Sequence, residues 1–373
     1  MIKQIKLKEY GILIALILIA IILSIATEGV FCSARNLTNL TRQVTDIGIL
    51  AIGMTYVILL AEIDLSVGSV VAVTGVIAAT LQVNNFGVLP TVLITLIAGL
   101  IIGMWNGFWV AHYKIHSFII TLGMMVIARG LALIIAKGAS IGPTSIGFQK
   151  IGKSFIEPNI TLTLLIIFFS LYLFSILRKR KKRSEHNLEN PPIISESFKI
   201  LAVLILLSLL GWVFCSEKGI PTPVIIWIIL AGLGIFILNK VPFGRYLYAI
   251  GGNIEAAKLS GIKVKQVKFI VFTISGVLAA TSGIILTSRL NGAAPSTLGV
   301  MYELDAIASV VIGGTSLLGG VGHITGTIIG TFLIGILSNG MSLMGIPTDW
   351  QNIAKGLIIV FAAWFDIRTK GRR

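Results

Sequence analysis

Long apolar runs constrain the fold of this 373-residue chain more than any other feature. Crossing about 30 Å of hydrocarbon takes about 20 mostly apolar residues in a helix, because lipid offers no partner for open backbone groups. A β-barrel would show short alternating segments instead. With 55% hydrophobic and 12% charged residues, the composition is typical of membrane proteins. The runs lie at about 10–26, 46–61, 67–83, 88–111, 117–136, 160–177, 198–214, 224–238, 269–287, 301–316, 324–346 and 350–365.

These runs predict an all-α polytopic membrane protein with ten to twelve transmembrane helices. The range allows for the run at 67–83, which is short, and the run at 301–316, which contains Glu303 and Asp305. Basic residues predict the orientation, because connections on the cytoplasmic side are rich in lysine and arginine. If the N-terminus is cytoplasmic and every run crosses, cytoplasmic connections hold 21 lysines and arginines and the opposite side holds seven.

The cytoplasmic set includes Lys3, Lys6, Lys8 and Lys114. Its excess predicts that both termini face the cytoplasm in a multi-pass protein of the plasma (inner) membrane. Topology therefore explains the net charge of +15, and we expect no nucleic-acid partner.

A basic, polar connector divides the chain. Residues 178–183 are all lysine or arginine, and a mostly polar stretch follows at 184–192. We interpret the cluster as a topology anchor beside anionic lipid headgroups; a dedicated lipid site would need more than this cluster. The predicted organisation is one transmembrane domain, 1–373, with an N-terminal half (1–177), the connector (178–197) and a C-terminal half (198–373).

A weak internal repeat links the two halves. Three short matches carry it: Glu62-Ile-Asp64 with Glu303-Leu-Asp305, Asn106-Gly107 with Asn339-Gly340, and Gly123 with Gly356. Seven apolar runs, an odd number, separate Glu62 from Glu303, so the copies would run in opposite directions. Inverted repeats of this kind build many transporters, with the substrate path near their interface.

The loop at 239–268 contains a short segment with helix-capping signals. Asn253 suits the N-cap, Glu255 the first turn, and Gly261 the left-handed position after the helix. Ala256 and Ala257 are small enough to let another protein approach closely. The alternative is an ordinary interfacial helix that binds nothing. The residues assigned to this segment are Gly251, Gly252, Asn253, Glu255, Ala256, Ala257, Ser260 and Gly261.

The motif Glu255-Ala-Ala-x3-Gly261 resembles the coupling loop of ATP-binding cassette importer permeases. The stretches 62–69, 248–253, 303–316 and 319–322 resemble the ribose and xylose branch of that family, and the match runs from about residue 31 to the end of the chain. Further matches favour the xylose members: 34–36, 219–223 and the connector. One departure is His116, where the family usually has proline.

The resemblance implies a permease subunit of a binding-protein-dependent monosaccharide importer, for D-xylose or a related sugar. It implies four partners: cytoplasmic ATP-binding subunits, a soluble extracytoplasmic sugar-binding protein, a second permease copy in a homodimer, and membrane lipid. The chain lacks a Gly-x4-Gly-Lys-Ser/Thr motif. We therefore expect no enzyme, catalytic residue, metal or cofactor here, with ATP hydrolysed by a partner subunit.

Charged residues inside the membrane are costly and are functional candidates by default. Glu62, Asp64, Glu303 and Asp305 lie near the ends of apolar runs, where capping or bonding between helices is favoured over sugar contact. Arg129 lies deep in its run and needs a carboxylate or carbonyl partner, of which we favour an ion pair. These five are the candidates for the translocation path or for structural roles.

Two other function classes stay open. An ion-coupled secondary transporter also uses inverted repeats, but would want a buried ion site and no docking helix. A membrane-embedded enzyme would need a catalytic pair, and none stands at a credible spacing. The glycine-rich run at 313–322 is either a substrate loop or a tight turn between helices, of which the turn is favoured.

Overall fold

The computed structural model describes residues 2–113 and 115–370, with side chains from residue 11 to 368 apart from those of 12, 13, 114 and 365–367. The predicted cytoplasmic residues Lys3, Lys6, Lys8 and Lys114 lie outside the described side chains. The α-helices are α1 (Ile2–Ala26), α2 (Ala34–Leu59), α3 (Val67–Val83), α4 (Val88–Tyr113), α5 (Ser117–Ile135), α6 (Ile146–Lys153), α7 (Pro158–Glu185), α8 (Ile193–Cys215), α9 (Thr222–Lys240), α10 (Pro242–Gly252), α11 (Ile254–Leu259), α12 (Val264–Leu290), α13 (Tyr302–Ile312), α14 (Ile324–Leu343) and α15 (Thr348–Lys370). Strands β1 (Phe155–Ile156) and β2 (Ile220–Pro221) form one antiparallel pair.

This architecture confirms the predicted all-α polytopic class. Among the described residues, eight helices are long and apolar enough to cross a membrane: α2, α4, α5, α7, α8, α9, α12 and α14. Two shorter apolar helices, 14–26 within α1 and the whole of α3, bring the number to the lower end of the predicted range. Helix α13 has 11 residues, or about 16 Å, so the prediction that 301–316 crosses as a helix is wrong.

Helix α2 begins twelve residues before the apolar run that predicted it. The Ser33 hydroxyl accepts a hydrogen bond from the Asn36 amide and caps the helix at Ala34. The apolar stretch of α2 is 83% buried inside the protein, so its outer turns can carry polar side chains that lipid would not tolerate. Asp46, for example, is fully buried.

The closest helix packing joins α4 to α12. A β-carbon at Gly99, Gly103 or Gly107 would lie 2.5–2.8 Å from a backbone carbonyl oxygen of α12. Their spacing of four residues places the three glycines on one face of α4. Small residues let membrane helices approach this closely, so the stripe holds α4 and α12 backbone to backbone.

The helices fall into two units with the same pattern of contacts, α2–α5 and α12–α15. Helix α12 packs on α3 and α4, as α2 packs on α13 and α14, and α3 contacts α5 as α13 contacts α15. The first helices of the units run antiparallel: Ser282 donates a 3.1 Å hydrogen bond to the Asp46 carbonyl, while Gly53 packs against Ser275. The units therefore have opposite orientations, which supports the predicted inverted repeat.

In each unit the second crossing is partly non-helical and partly helical. Helix α2 is followed by the segment 60–66 and then α3; α12 is followed by 291–301 and then α13. A left-handed residue opens each segment, Ala61 with φ +59° and Asn291 with φ +62°. Helices α3 and α13 begin beside each other, because a β-carbon on Gly68 would collide with Glu303. Discontinuous helices of this kind form binding sites in many transporters.

Helices α7 and α8 form a peripheral hairpin around the connector. They pack on each other, α8 also packs on α2, and only 6% of the apolar stretch of α7 is buried inside the protein. Helices α8 and α9 both pack on α2. The predicted boundary at 178–197 therefore falls inside a helical hairpin, and part of the C-terminal half packs on the first unit.

Candidate functional site

The predicted helix-capping signals are confirmed in α11. The Asn253 side chain accepts 3.0 Å hydrogen bonds from the amides of Glu255 and Ala256. Ser260 donates to the Ala256 carbonyl at 2.9 Å. Gly261 has a φ of +79°, which any residue with a β-carbon adopts at a cost. Helix α11 is thus a short, well-capped helix at one end of the molecule.

The outward surface of α11 differs from the one expected. Ala257 is 3% exposed, so its small side chain fits the interior of this chain, and the expectation that it faces a partner is wrong. Ala256 is exposed, as are Glu255 and Lys258, which form an ion pair with each other. Leu259 is 91% exposed, an unusual environment for a leucine. We call Glu255, Ala256, Lys258 and Leu259 the α11 face.

The preceding helix, α10, is fixed against both units. At its end, a β-carbon on Gly251 would collide with the carbonyl of Leu59 and the amide of Gly320. That amide donates a 3.0 Å hydrogen bond to the same Leu59 carbonyl. The Tyr248 hydroxyl donates to the Gly322 carbonyl at 2.8 Å. The glycine-rich run at 313–322 is therefore a connection between helices that packs on α10 and α2.

Glu62 extends this contact region to α12. It forms an ion pair with Lys268, and each side chain is about 15% exposed or less. Glu62 lies in the extended segment after α2, and Lys268 lies in the second turn of α12, which follows α11 directly. The α10–α12 region therefore contacts the segment after α2 in the first unit and the α13–α14 connection in the second.

Asp64 and Asp305 make the interhelical bonds expected of them. Asp64 accepts from the amide and hydroxyl of Ser66, at 3.0 and 2.6 Å, and from the hydroxyl of Ser275 on α12 at 2.9 Å. Asp305 on α13 pairs with Lys355 on α15 at 2.9 Å. Both carboxylates are buried, and both fix the start of a short helix against a longer one.

Arg129 binds carbonyl oxygens where we favoured an ion pair. Its Nη1 donates 2.8 Å hydrogen bonds to the carbonyls of Pro295 and Leu298. The non-helical segment 291–301, which is mostly turns, leaves these carbonyls without helical partners, so the guanidinium satisfies backbone groups that would otherwise be open in the membrane. A carbonyl partner was the other alternative in the sequence analysis.

Arg129 and Glu303 share a cavity of about 470 Å³ where α3, α5 and α13 meet. Its polar side chains can accept and donate hydrogen bonds, as small polar solutes require. Val126 at its rim is 65% exposed, so in the single chain the cavity opens on a lateral surface of the helix bundle. Its lining is Ser69, Met125, Val126, Arg129, Gly130, Leu133, Val300, Met301 and Glu303.

One buried charge cluster was missed in the sequence analysis. Asp46 on α2 accepts a 2.5 Å bond from Nη2 of Arg289 on α12, and Arg42 lies close to both. Arg42 also donates to the Gly152 carbonyl on α6. The predicted topology places Arg42 and Arg289 among the seven basic residues of the connections opposite the cytoplasm. The aspartate at the start of the run 46–61 was the available signal for an intramembrane partner.

Comparison with known proteins identifies the family. The family model described as branched-chain amino acid transport system / permease component matches residues 36–363. The xylose transport system permease protein XylH of Escherichia coli (strain K12) is 42% identical over 372 residues, covering 99% of this chain and 94% of the relative. XylH of Haemophilus influenzae is 42% identical, covering 99% and 98%.

The ribose import permease protein RbsC of Bacillus subtilis (strain 168) is 36% identical, covering 96% of this chain and 93% of the relative. Comparison with solved structures gives no match. The family match spans most of the chain, and the membrane-spanning helices described above suit a permease. This chain belongs to the family of permease components described as the branched-chain amino acid transport system.

Proposed function

We propose that this chain is the permease subunit of an ATP-driven, binding-protein-dependent importer of monosaccharides, D-xylose or a related sugar. Relatives named for xylose and ribose transport support the sugar class, at 42% and 36% identity. The chain holds no cofactor of its own, and ATP is hydrolysed on separate cytoplasmic subunits. A soluble extracytoplasmic protein delivers the sugar.

The observation that carries this proposal is the position of α10 and α11 against both inverted units. A partner that binds the α11 face pushes on Gly251, which contacts the C-terminal end of α2. It also pushes on Lys268, which forms an ion pair with Glu62. Tyr248 transmits the same displacement to the connection between α13 and α14. Movement of α10 and α11, the coupling segment, thus reaches the non-helical segment after α2 and the α13–α14 connection, one in each unit, as alternating access requires.

The open cavity supports a second copy of the chain. Arg129 and Glu303 would be costly beside lipid, so another protein surface has to cover this side of the molecule. A second permease copy, related by a two-fold axis, would enclose the path between two identical cavities. We propose a homodimer that binds two ATP-binding subunits, one at each coupling segment.

The docking test uses Leu259→Glu, which places a charge at the centre of the exposed α11 face. We expect the variant to accumulate normally because the Leu259 side chain is 91% exposed, and glutamate is a good helix former. Recovery of the co-expressed ATP-binding subunit on the tagged permease should fall about tenfold or more, since a buried unpaired charge is costly at an interface.

Leu290→Glu is the matched control, because Leu290 is also exposed, at 60%, and ends α12 at the far side of the molecule. It should retain the ATP-binding subunit. Normal recovery with Leu259→Glu would show that α11 is not the docking site. Ala257→Glu is unsuitable for this test because Ala257 is buried.

The path test uses Glu303→Gln. A hydrogen bond to a charged group contributes about 1.5–3 kcal/mol, so uptake of labelled D-xylose should fall about tenfold or more while the ATP-binding subunit is retained. Glu157→Gln is the control, since Glu157 is exposed and makes no capping bond at the start of α7. Equal uptake by both variants would show that Glu303 does not contribute to the translocation path.

An ion-coupled secondary transporter is the second candidate, because discontinuous helices and inverted units also occur in that class. Uptake of labelled D-xylose, D-ribose and D-galactose in cells with and without the ATP-binding subunit separates the two. An importer loses uptake of its sugar when that subunit is deleted. If uptake is unchanged without the ATP-binding subunit but is abolished by an uncoupler, the chain is an ion-coupled secondary transporter.

A further inference from the structure

A basic groove lies between α7 and α8, at the end of the hairpin that carries the connector. Its volume is about 550 Å³, and it is remote from the cavity of Arg129 and Glu303. Its lining includes Tyr172, Ile176, Lys179, Lys182 and Lys199. The two units and the coupling segment contribute no residue to it.

The basic residues of α7 divide between two faces. Tyr172, Ile176, Lys179 and Lys182 recur at intervals of three or four residues, so they form one stripe that lines the groove. Arg178 and Lys181 belong to the same basic run but do not line it. The fold thus collects part of a general basic cluster into one concave site.

Charge in the groove is only partly compensated. Glu196 accepts a 2.6 Å bond from Arg180, which neutralises that pair and joins α7 to α8. Lys179 and Lys182 on α7 and Lys199 on α8 make no ion pair or hydrogen bond with any side chain or carbonyl that the structure describes. The groove therefore presents three unpaired ammonium groups and suits an anion.

The depth of the groove matches a lipid headgroup. Helix α7 has 28 residues, or about 42 Å, so its last turns extend beyond about 30 Å of hydrocarbon. Tyr172 and Ile176 lie one to two turns below Lys179, at the boundary. Further down, Phe168 and Leu171 on α7 and Leu204 on α8 are exposed where acyl chains would lie.

We propose that this groove binds the phosphate of an anionic phospholipid, with Lys179, Lys182 and Lys199 around the headgroup and the acyl chains along the α7–α8 hairpin. Basic pockets between membrane helices bind such headgroups. The site is more than a topology anchor, because it selects a lipid by charge at one defined place. It is independent of the sugar path and of the proposed transport function.

The test is native mass spectrometry of the purified full-length protein in detergent with phosphatidylglycerol or phosphatidylcholine added. The wild-type protein should retain phosphatidylglycerol in preference. The variant Lys179→Gln with Lys199→Gln should lose about tenfold or more of that retention. The control, Arg178→Gln with Lys181→Gln, removes the same charge from the other face and should stay within about twofold of the wild type.

Three results would overturn the proposal: no preference in the wild-type protein, equal losses in the two variants, or displacement of the lipid by equimolar inorganic phosphate, which would indicate a free-anion site. If a variant does not fold, crosslinking of the wild-type protein still tests the site. Photoactivatable phosphatidylglycerol should crosslink to peptides within 172–199, and crosslinks confined to other helices would contradict the site.

Discussion

Gly251 and Gly252 are adjacent at the end of α10 but have different surroundings. The position of a β-carbon on Gly251 is occupied by backbone atoms of Leu59 and Gly320, which cannot rotate away. A β-carbon on Gly252 would meet nothing within 4 Å. At this scale, one glycine allows α10 to contact both units, and its neighbour has no such packing role.

We therefore expect Gly251→Ala to separate α10 from the end of α2. Overpacking of this kind costs about 1–3 kcal/mol. Sugar uptake should fall even if the protein reaches the membrane, because α10 no longer contacts the end of α2 and the α13–α14 connection closely. Gly252→Ala should behave as the wild type. Uptake assays normalised to permease abundance measure both, and equal uptake would contradict the proposed contact.

Helix α13 depends strongly on its neighbours. It has 11 residues and begins beside α3 inside the protein. Its first turn carries Asp305, whose side chain is 4% exposed and pairs with Lys355 of α15. A helix this short is marginal by itself, so packing and this ion pair hold it in place.

Lys355→Met should destabilise the protein by about 3–5 kcal/mol, because it leaves a buried carboxylate without its partner. Adding Asp305→Asn should restore most of the loss. Lys258→Met is the control, since the Lys258–Glu255 pair is exposed and such pairs contribute about 1 kcal/mol or less. The stability of all three variants is measured as the temperature at which half the detergent-solubilised protein stays monodisperse. A double variant no more stable than Lys355→Met would show that the pair is not the cause.

The whole molecule combines two inverted units with a peripheral hairpin, and its orientation can be measured. The excess of basic residues predicts that the connector and both termini face the cytoplasm. The helix break at 291–301 does not alter this prediction. The segment 291–301 and helix α13 together run from the end of α12 to the α13–α14 connection, which packs on the end of α10. Ser184 in the connector and Ser296 in the segment are both exposed and should lie on opposite sides.

A cysteine at position 296 should react with an impermeant maleimide in intact cells, whereas one at position 184 should react only after lysis. Cys32 is exposed, so Cys32→Ser and Cys215→Ser must provide the background. A permeant maleimide, which should label both sites, controls for accessibility. Labelling of Ser184→Cys from outside would reverse the topology.

Much of the fold could be predicted from the sequence, for definite reasons. Lipid requires long apolar helices, so the apolar runs coincide with helices, although the run at 301–316 contains only the short α13. Capping is local chemistry, so Asn253 and Gly261 were predictive without knowledge of the rest of the molecule. The odd number of runs between Glu62 and Glu303 predicted opposite directions, which the antiparallel α2 and α12 support.

Other features depend on distant contacts that no local pattern reveals. The exposure of Ala257 and Leu259 is decided by what packs against α11, and the partner of Arg129 by a non-helical segment 166 residues away. Asp46 begins an apolar run that predicted contact with lipid. The charge of Asp46 is tolerated there because the side chain is buried inside the protein. The sequence by itself determined the class, the helices and their caps because these follow from solvent and local backbone chemistry. Only the tertiary structure decided which charges pair, which face is free and where the cavity lies, because these depend on residues far apart in the chain.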